Sequence, residues 1–286
     1  MLIQAGCTKL LNRVYRRRSI RFRRLVRLLL IIICLGSVCS YAQERVVVYA
    51  GLKPTAQSFV LGQPITVDLE ISGIQPFSID LGPNRNGNLR FIVKDPTGRE
   101  REARLALPDF TGGGSINVSP DSIYVQRINL TSLLSSQTVG KYTISVFLDK
   151  ESNQGIALSL GPPIDLAIST ADSNRLKEVS EEISQNIEKA SSASERLELT
   201  SELVSIHDPV VVSSIRSLLR RGFGIDSDLV GSLALIRNQD AVDALAYAMG
   251  SPDDVVATQA RSALLNISSQ ATNEAVRTRA NKALQQ

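Results

Sequence analysis

One histidine, two methionines and no tryptophan occur in this chain of 286 residues, and aromatic residues make up only 5% of it. Its three cysteines, Cys7, Cys34 and Cys39, all lie within the first 42 residues, so nothing from Gln43 onward carries a thiol. A single imidazole without cysteine cannot assemble the usual zinc ligand sets, and thiol catalysis is excluded for that stretch. Disulfides are excluded with it, so the stretch must be held by an apolar core. No metal, no cofactor and no catalytic residue is expected.

The cysteine-bearing start of the chain has a pattern of its own. It holds nine basic residues (Lys9, Arg13, Arg16, Arg17, Arg18, Arg21, Arg23, Arg24 and Arg27) and no acid. The apolar run Leu28–Leu35 follows, then small residues through Ser40-Tyr41-Ala42. A basic segment, a short apolar segment and small side chains at Ser40 and Ala42 read as a secretory signal peptide cut after Ala42. Eight strongly apolar residues fall short of the roughly 20 that a membrane span wants. The expectation is therefore a periplasmic or secreted protein. An uncleaved inner-membrane anchor is the alternative, since Gly36–Ala42 could extend the run. Ile33 and Val38 before the cysteines are too large for a lipoprotein cleavage box.

Removing that leader reverses the charge. The chain has 32 Lys and Arg against 28 Asp and Glu, net +4; without the nine leading bases 23 remain against 28, about −5. Phosphate neutralisation supplies most nucleic-acid affinity, so a mildly acidic chain excludes nucleic acid as the expected partner.

From 45 to about 169 the sequence reads as strands. Ile65–Ile71 and Tyr142–Phe147 alternate apolar and polar residues, the period of a half-buried strand. Phe77–Leu81, Leu89–Val93, Ile123–Leu130 and Ile156–Leu160 add others. Asn86-Gly87 suits a primed hairpin turn, and Asp95-Pro96-Thr97-Gly98 a type I turn. Short strands separated by such turns predict an antiparallel β-sandwich.

Beyond Ser169 the period changes. Asp172 or Ser173 can cap a helix carrying Leu176, Val179, Ile183 and Ile187, broken at Ser191–Ser194. The stretch Asn238–Ile267 then predicts two helices. One carries Val242, Leu245 and Met249; the other, after Gly250-Ser251-Pro252, carries Val256, Ala260, Ala263, Leu264 and Ile267. Val212, Ile215 and Leu219 precede the first set by 30 positions, as Asp208 precedes Asn238. Leu199, Leu203 and Ile206 recur as Leu229, Leu233 and Ile236, and one position later as Ala260, Leu264 and Ile267. A period of about 30 is that of repeat architectures.

These residues carry a resemblance. Val276-Arg277 followed by Ala280, Ala283 and Leu284 resembles the second-helix signature of HEAT-like repeats; Val256 onward repeats it with Ala257 in place of the Arg. Gly140-Lys141-Tyr142, with Ile144 two residues on, resembles the tyrosine corner of immunoglobulin-like and fibronectin-type domains, without the antibody cysteine or tryptophan. Together they imply an α+β protein of two domains, an N-terminal antiparallel β-sandwich and a C-terminal α-helical HEAT-like solenoid. The boundaries are 1–42 signal peptide, 43–170 immunoglobulin-like sandwich, 171–193 connecting or capping helix, and 194–286 HEAT-like repeats. The resemblance implies a scaffold that binds another protein through the concave face of the repeats, with a membrane involved only if the leader is retained.

Several residues invite chemistry. His207 could act as a general base, but Asp208 as a helix N-cap and Pro209 as the first helical residue explain the triplet structurally. Gly112-Gly113-Gly114 lacks the Lys-Ser/Thr of a phosphate loop. Asp80, Asn84, Asn86 and Asn88 lack the acidic close of a calcium loop. Arg99, Glu100, Arg101, Glu102 and Arg104 alternate in sign, as in a solvated edge strand. Arg220 and Arg221 end a helix, and Asn117, Asn129 and Asn266 lie in glycosylation sequons. The expected function is an exported non-enzymatic scaffold. The alternatives are a carbohydrate-active or other hydrolase using paired carboxylates of the sandwich, and a membrane-tethered structural subunit with an uncleaved leader.

Overall fold

A computed structural model describes residues 46–80, 88–105, 115–134, 138–148 and 156–285. The leader, Asn84, Asn86-Gly87 and Gly112–Gly114 lie outside the described residues. The fold is mixed α+β, with strands in the N-terminal region and helices in the C-terminal region. Residues Val47–Gln286 form one compact unit.

The described strands are β1 (Val46–Pro54), β2 (Ser58–Val60), β3 (Thr66–Gly73), β4 (Phe77–Asp80), β5 (Leu89–Lys94), β6 (Glu100–Ala103), β7 (Ser115–Val118), β8 (Tyr124–Asn129), β9 (Gly140–Leu148), β10 (Ile156–Leu160) and β11 (Ile164–Ser169). One sheet runs in the order β10-β1-β3-β8, a second β2-β11-β9-β5-β6, and β4 pairs with β7 alone. Alternation decides what is inside. Val67, Leu69 and Ile71 of β3 are buried, as are Leu89, Phe91 and Val93 of β5, Tyr142, Ile144 and Val146 of β9, and Ile164, Leu166 and Ile168 of β11. A one-residue slip would expose every one of them, so the apolar pattern fixes the register. Polar partners meet on the other face of the first sheet, where Asp68 lies opposite both Lys53 and Arg127.

Two local devices shape the second sheet. Asp95 Oδ1 accepts the N–H groups of Thr97 and Arg99, and Gly98 (φ 85°) closes that turn. Gly140 stands at φ 144°, where an added Cβ would come within 2.6 Å of Pro96 Cβ, so only glycine lets β9 start against the turn. The Tyr142 hydroxyl accepts from the Thr138 N–H at 2.9 Å and donates to its carbonyl at 3.1 Å, a local closure at the entry of β9.

Seven helices follow among the described residues: α1 (Ser173–Lys189), α2 (Ala193–Val204), α3 (Val212–Leu219), α4 (Asp226–Ile236), α5 (Gln239–Ala248), α6 (Asp254–Gln270) and α7 (Glu274–Ala283). Most begin on a side-chain cap that satisfies free N–H groups of the first turn. Asp172 caps α1, Ser192 α2, Asn238 α5, Asp253 α6 and Asn273 α7. Between α4 and α5 the chain turns at Arg237, whose left-handed φ of 53° is, among the described residues, otherwise confined to glycines.

Apolar steps of three and four residues give each helix one buried stripe. The stripes make one cluster from Val179 to Ala283 in which Leu203, Leu233 and Leu264 are fully buried. Helix α1 packs on α2 and α3, α2 on α4, α3 on α4 and α5, α4 on α5 and α6, α5 on α6 and α7, and α6 on α7. The helices therefore lie in two rows, α1-α3-α5-α7 and α2-α4-α6. Small side chains at Ala260, Ala263, Ala280 and Ala283 allow the close approach of α6 and α7.

Candidate functional site

Two places in the described structure depart from a plain buried-apolar, exposed-polar division. The first is the α2-α4-α6 row of helices. Leu235 on α4 is 61% exposed and Leu265 on α6 is 53% exposed, with Leu197 on α2 and Val255 on α6 also open to solvent. Tyr247 on α5 is exposed too, and the Arg220 guanidinium stands 6.0 Å from its ring. Single exposed leucines are ordinary, but four large apolar side chains are open to solvent on the helices of this one row.

The second is the joint between strands and helices, where α2 packs on β8. Asn129 at the end of β8 donates from Nδ2 to the Ser201 carbonyl at 3.1 Å, and its Oδ1 accepts the Thr131 N–H. Leu176, buried at the start of α1, reaches the turn at Gly62, where it would meet an added Cβ at 3.6 Å. Glu202 lies beside these contacts with only 7% of its surface exposed. Burial pushes its carboxyl from 4.5 up to about 7; Arg127 opposes the shift, while Glu198, Asp68 and Glu182 add to it. Arg127 is already shared, its Nε standing 3.4 Å from Asp68 Oδ1. Asp226, in the first turn of α4, is also raised, by burial first and then by the Asp253 carboxylate.

The residues singled out from sequence are scattered. His207 is exposed and next to Asp208, whose Oδ1 accepts the Val210 N–H at 3.0 Å, while Pro209 opens a short 3-10 turn. The cap reading of that triplet therefore describes what the structure has. Asn88 donates to the Asp80 carbonyl at 3.0 Å, a turn contact. Glu100 and Glu102 sit on the edge strand β6 and pair with Lys94 and Arg90. Arg220 ends α3, and Arg221 reaches Glu188 at 2.8 Å. Of the sequons, Asn117 and Asn266 are exposed, whereas the Asn129 amide is engaged at the joint. A shallow depression of about 440 Å3 is lined by Pro76, Phe77, Asn117, Val118, Ser119 and Ser122, the two serine hydroxyls lying 2.9 Å apart. Among the described residues no group of three or more His, Cys, Asp or Glu is placed to hold a metal ion, and no helix is long and apolar enough to cross a membrane.

No protein-family profile matches the chain, and no curated protein does. Solved structures match parts of it. A β-glucosidase from Listeria innocua in complex with isofagomine shares 13% identity, over 42% of this chain and 16% of that one, with a TM-score of 0.27. The alkylpurine DNA glycosylase AlkC of Pseudomonas fluorescens, bound to DNA containing an abasic site analog, shares 10% over 43% and 30%, at 0.27. The sporulation control protein Spo0M of Bacillus subtilis shares 14% over 47% and 54%, also at 0.27. The chain thus spans well under two thirds of each of these proteins. At that likeness none of their activities or ligands carries over.

These findings correct the family assignments made from sequence. Without a matching profile, and with structural likenesses this weak that show neither HEAT repeats nor an immunoglobulin sandwich, the chain is assigned neither to the HEAT-like repeat family nor to the immunoglobulin-like or fibronectin-type domains. The reason is physical. Val-x3-Ala-x2-Ala-Leu spacing is what any closely packed helix face requires, and the tie from Tyr142 to Thr138 is a local closure of one strand entry. Neither pattern is specific to one ancestry.

Proposed function

We propose that the protein is an exported, non-enzymatic binding scaffold, in which a β-sandwich built on the two larger sheets carries a solenoid-like stack of helical hairpins. The stack seats another protein on the α2-α4-α6 row. The observation that carries this reading is the exposure of Leu235 and Leu265 on neighbouring helices of one row. The contact order of the helices supports it, because each packs on the next but one, as successive hairpins of a stack do. The inward alternation on both larger sheets supports the sandwich. The leader pattern supports export, with cleavage after Ala42.

Site-specific crosslinking in the intact chain tests the binding surface. A photo-reactive residue at 235 or 265 is expected to trap one and the same protein from the exporting cell. One at exposed Arg277 on α7 is expected not to. Leu235→Asp combined with Leu265→Asp should abolish the adduct from a reporter at Val255 while leaving the far-ultraviolet dichroism unchanged. Equal trapping at all positions removes the row from the argument. Intact mass tests export separately: a chain starting at Gln43 supports it, and one starting before Gln43 favours a retained leader.

A further inference from the structure

The joint between strands and helices encloses a carboxylate that plays no part in the scaffold reading. Glu202 is buried where α2 meets β8, one residue from the Ser201 carbonyl that Asn129 holds at 3.1 Å. The groups facing it are Arg127 from β8, Asp68 from β3, Glu182 from α1 and Glu198 from its own helix. Three of the four are acids. The one cation, Arg127, is divided between Glu202 and the Asp68 carboxylate opposite it in the sheet. A negative charge at Glu202 is thus poorly compensated while α2 stays closed.

We propose that this joint is a proton-operated catch: α2 lies closed on the sheet edge while Glu202 is protonated, and lifts from β8 to hydrate the carboxylate when the proton leaves. Burial holds the Glu202 carboxyl at about 7 when closed, against 4.5 in water. A group raised in this way favours the closed state most fully below 4.5, and that preference is lost as the pH climbs to about 7. Above that point the closed and open forms bind protons alike, and opening levels off. Lifting breaks the hydrogen bond from Asn129 to Ser201 and frees Arg127 to serve Asp68 alone. Leu203 at the end of α2 and Ile206 just after it belong to the helical cluster, so lifting withdraws those two while the rest of the cluster stays packed on α1 and α4.

Amide hydrogen exchange on the intact chain tests the catch, with rates corrected for the intrinsic effect of pH on exchange. Between pH 5.0 and 8.0 the opening of 201–206 and 129–131 is expected to increase about tenfold or more, with a plateau near pH 7. The amides around Leu233 are expected to keep their protection. Glu202→Gln, which copies the protonated shape, should hold both segments closed at every pH; Glu202→Met should do the same, in case the amide packs poorly. A rise that survives in both variants, a flat wild-type profile, or a rise shared equally by the whole chain overturns the proposal. A carboxyl carbon-13 titration of Glu202 with its midpoint between pH 4 and 5 overturns it equally.

Discussion

The strand part and the helical part bury their apolar side chains equally well, but they gather them over different distances along the chain. Where helix packs on helix, the main partner is the next helix or the next but one. In the sheets β2 runs parallel to β11, tied by the Ser169 hydroxyl to the Phe59 carbonyl across 110 positions, and β9 stands between β11 and β5. Local pairing makes one half a series of small closures; the other half closes only when distant segments have met. The two halves nonetheless share one compact unit. The largest expected effects test whether they also share one unfolding transition. Leu233→Ala and Phe91→Ala each empty a fully buried site, one per half, and each is expected to cost about 3–5 kcal/mol. If the unit is cooperative, dichroism at helical and at strand wavelengths shifts together in both variants during urea unfolding. Shifts confined to the mutated half would break the unit at the joint.

Next in size is the response to pH, in which lowered carboxyls at Asp165 and Asp95 of the strand part and Glu195 of α2 oppose the raised Glu202. In the sheet Asp165 is held below its ordinary value, by its hydrogen bond to Lys141 first and then by Thr143; in the turn Asp95 is lowered, by Thr97 first. These two lowered carboxyls give stability that is present above the unfolded value of 3.8 and is lost as the pH falls further. Glu202 acts in the other direction and in another window, losing its contribution as the pH rises from 4.5 to about 7. Urea midpoints are therefore expected to be highest near pH 4.5. Glu202→Gln should raise the midpoint at pH 8 by the equivalent of about 2–3 kcal/mol and change little at pH 4.5. A gain of equal size at both pH values would assign the effect to packing instead.

Helix caps come third. Asp253 accepts the N–H groups of Val255 and Val256, and Asn273 those of Ala275 and Val276. Asp253→Ala or Asn273→Ala is expected to cost about 1 kcal/mol, since free N–H groups at a helix start lose their acceptor. The corresponding end of α4 has no side-chain cap at Ile225, so Ile225→Ala there should act through lost burial alone. Calorimetry that found the cap variants unchanged would mean that water replaces the caps without loss.

Legibility follows the same division. Caps, stripes and breaks are local, so Asp172, Asp208 and Asn238 announce their helices, and the steps of Val256, Ala260 and Leu264 announce a buried face. Strand positions are local too; Ile156–Leu160 stands as read, and the ends of β3 and β9 differ from the expected runs by only one or two residues. Strand partners are not local, and nothing in Ser58–Val60 says that it will lie parallel to β11. Family identity was misread because close helix packing imposes the same spacing on unrelated chains. Glu202 was missed for a related reason. In a run rich in Glu and Leu it looks like solvent-facing charge, yet it falls three residues after Leu199 and four before Ile206, on the edge of the buried stripe. That spacing was the one available signal.

The smallest expected effect concerns charge on the surface of each half. Arg279 on α7 grips Asp243 on α5 with Nε and a terminal nitrogen, both at 2.6 Å, and this contact holds the Arg279 guanidinium above its ordinary value. In the sheet Lys53 meets Glu70 through a single contact at 3.8 Å. Both pairs are exposed, so water and salt screen them, but a planar two-point grip loses less side-chain freedom per hydrogen bond than a lysine tip does. A double-mutant cycle with Arg279→Met and Asp243→Ala should therefore return a small favourable coupling that fades in 1 M salt. The cycle with Lys53→Met and Glu70→Ala should return none within error. A coupling at Arg279 that persists in high salt would mean that α5 and α7 enclose the pair more tightly than its exposure indicates. An equal coupling in the sheet would mean that cross-strand order, not the two-point grip, sets the strength of surface pairs in this fold.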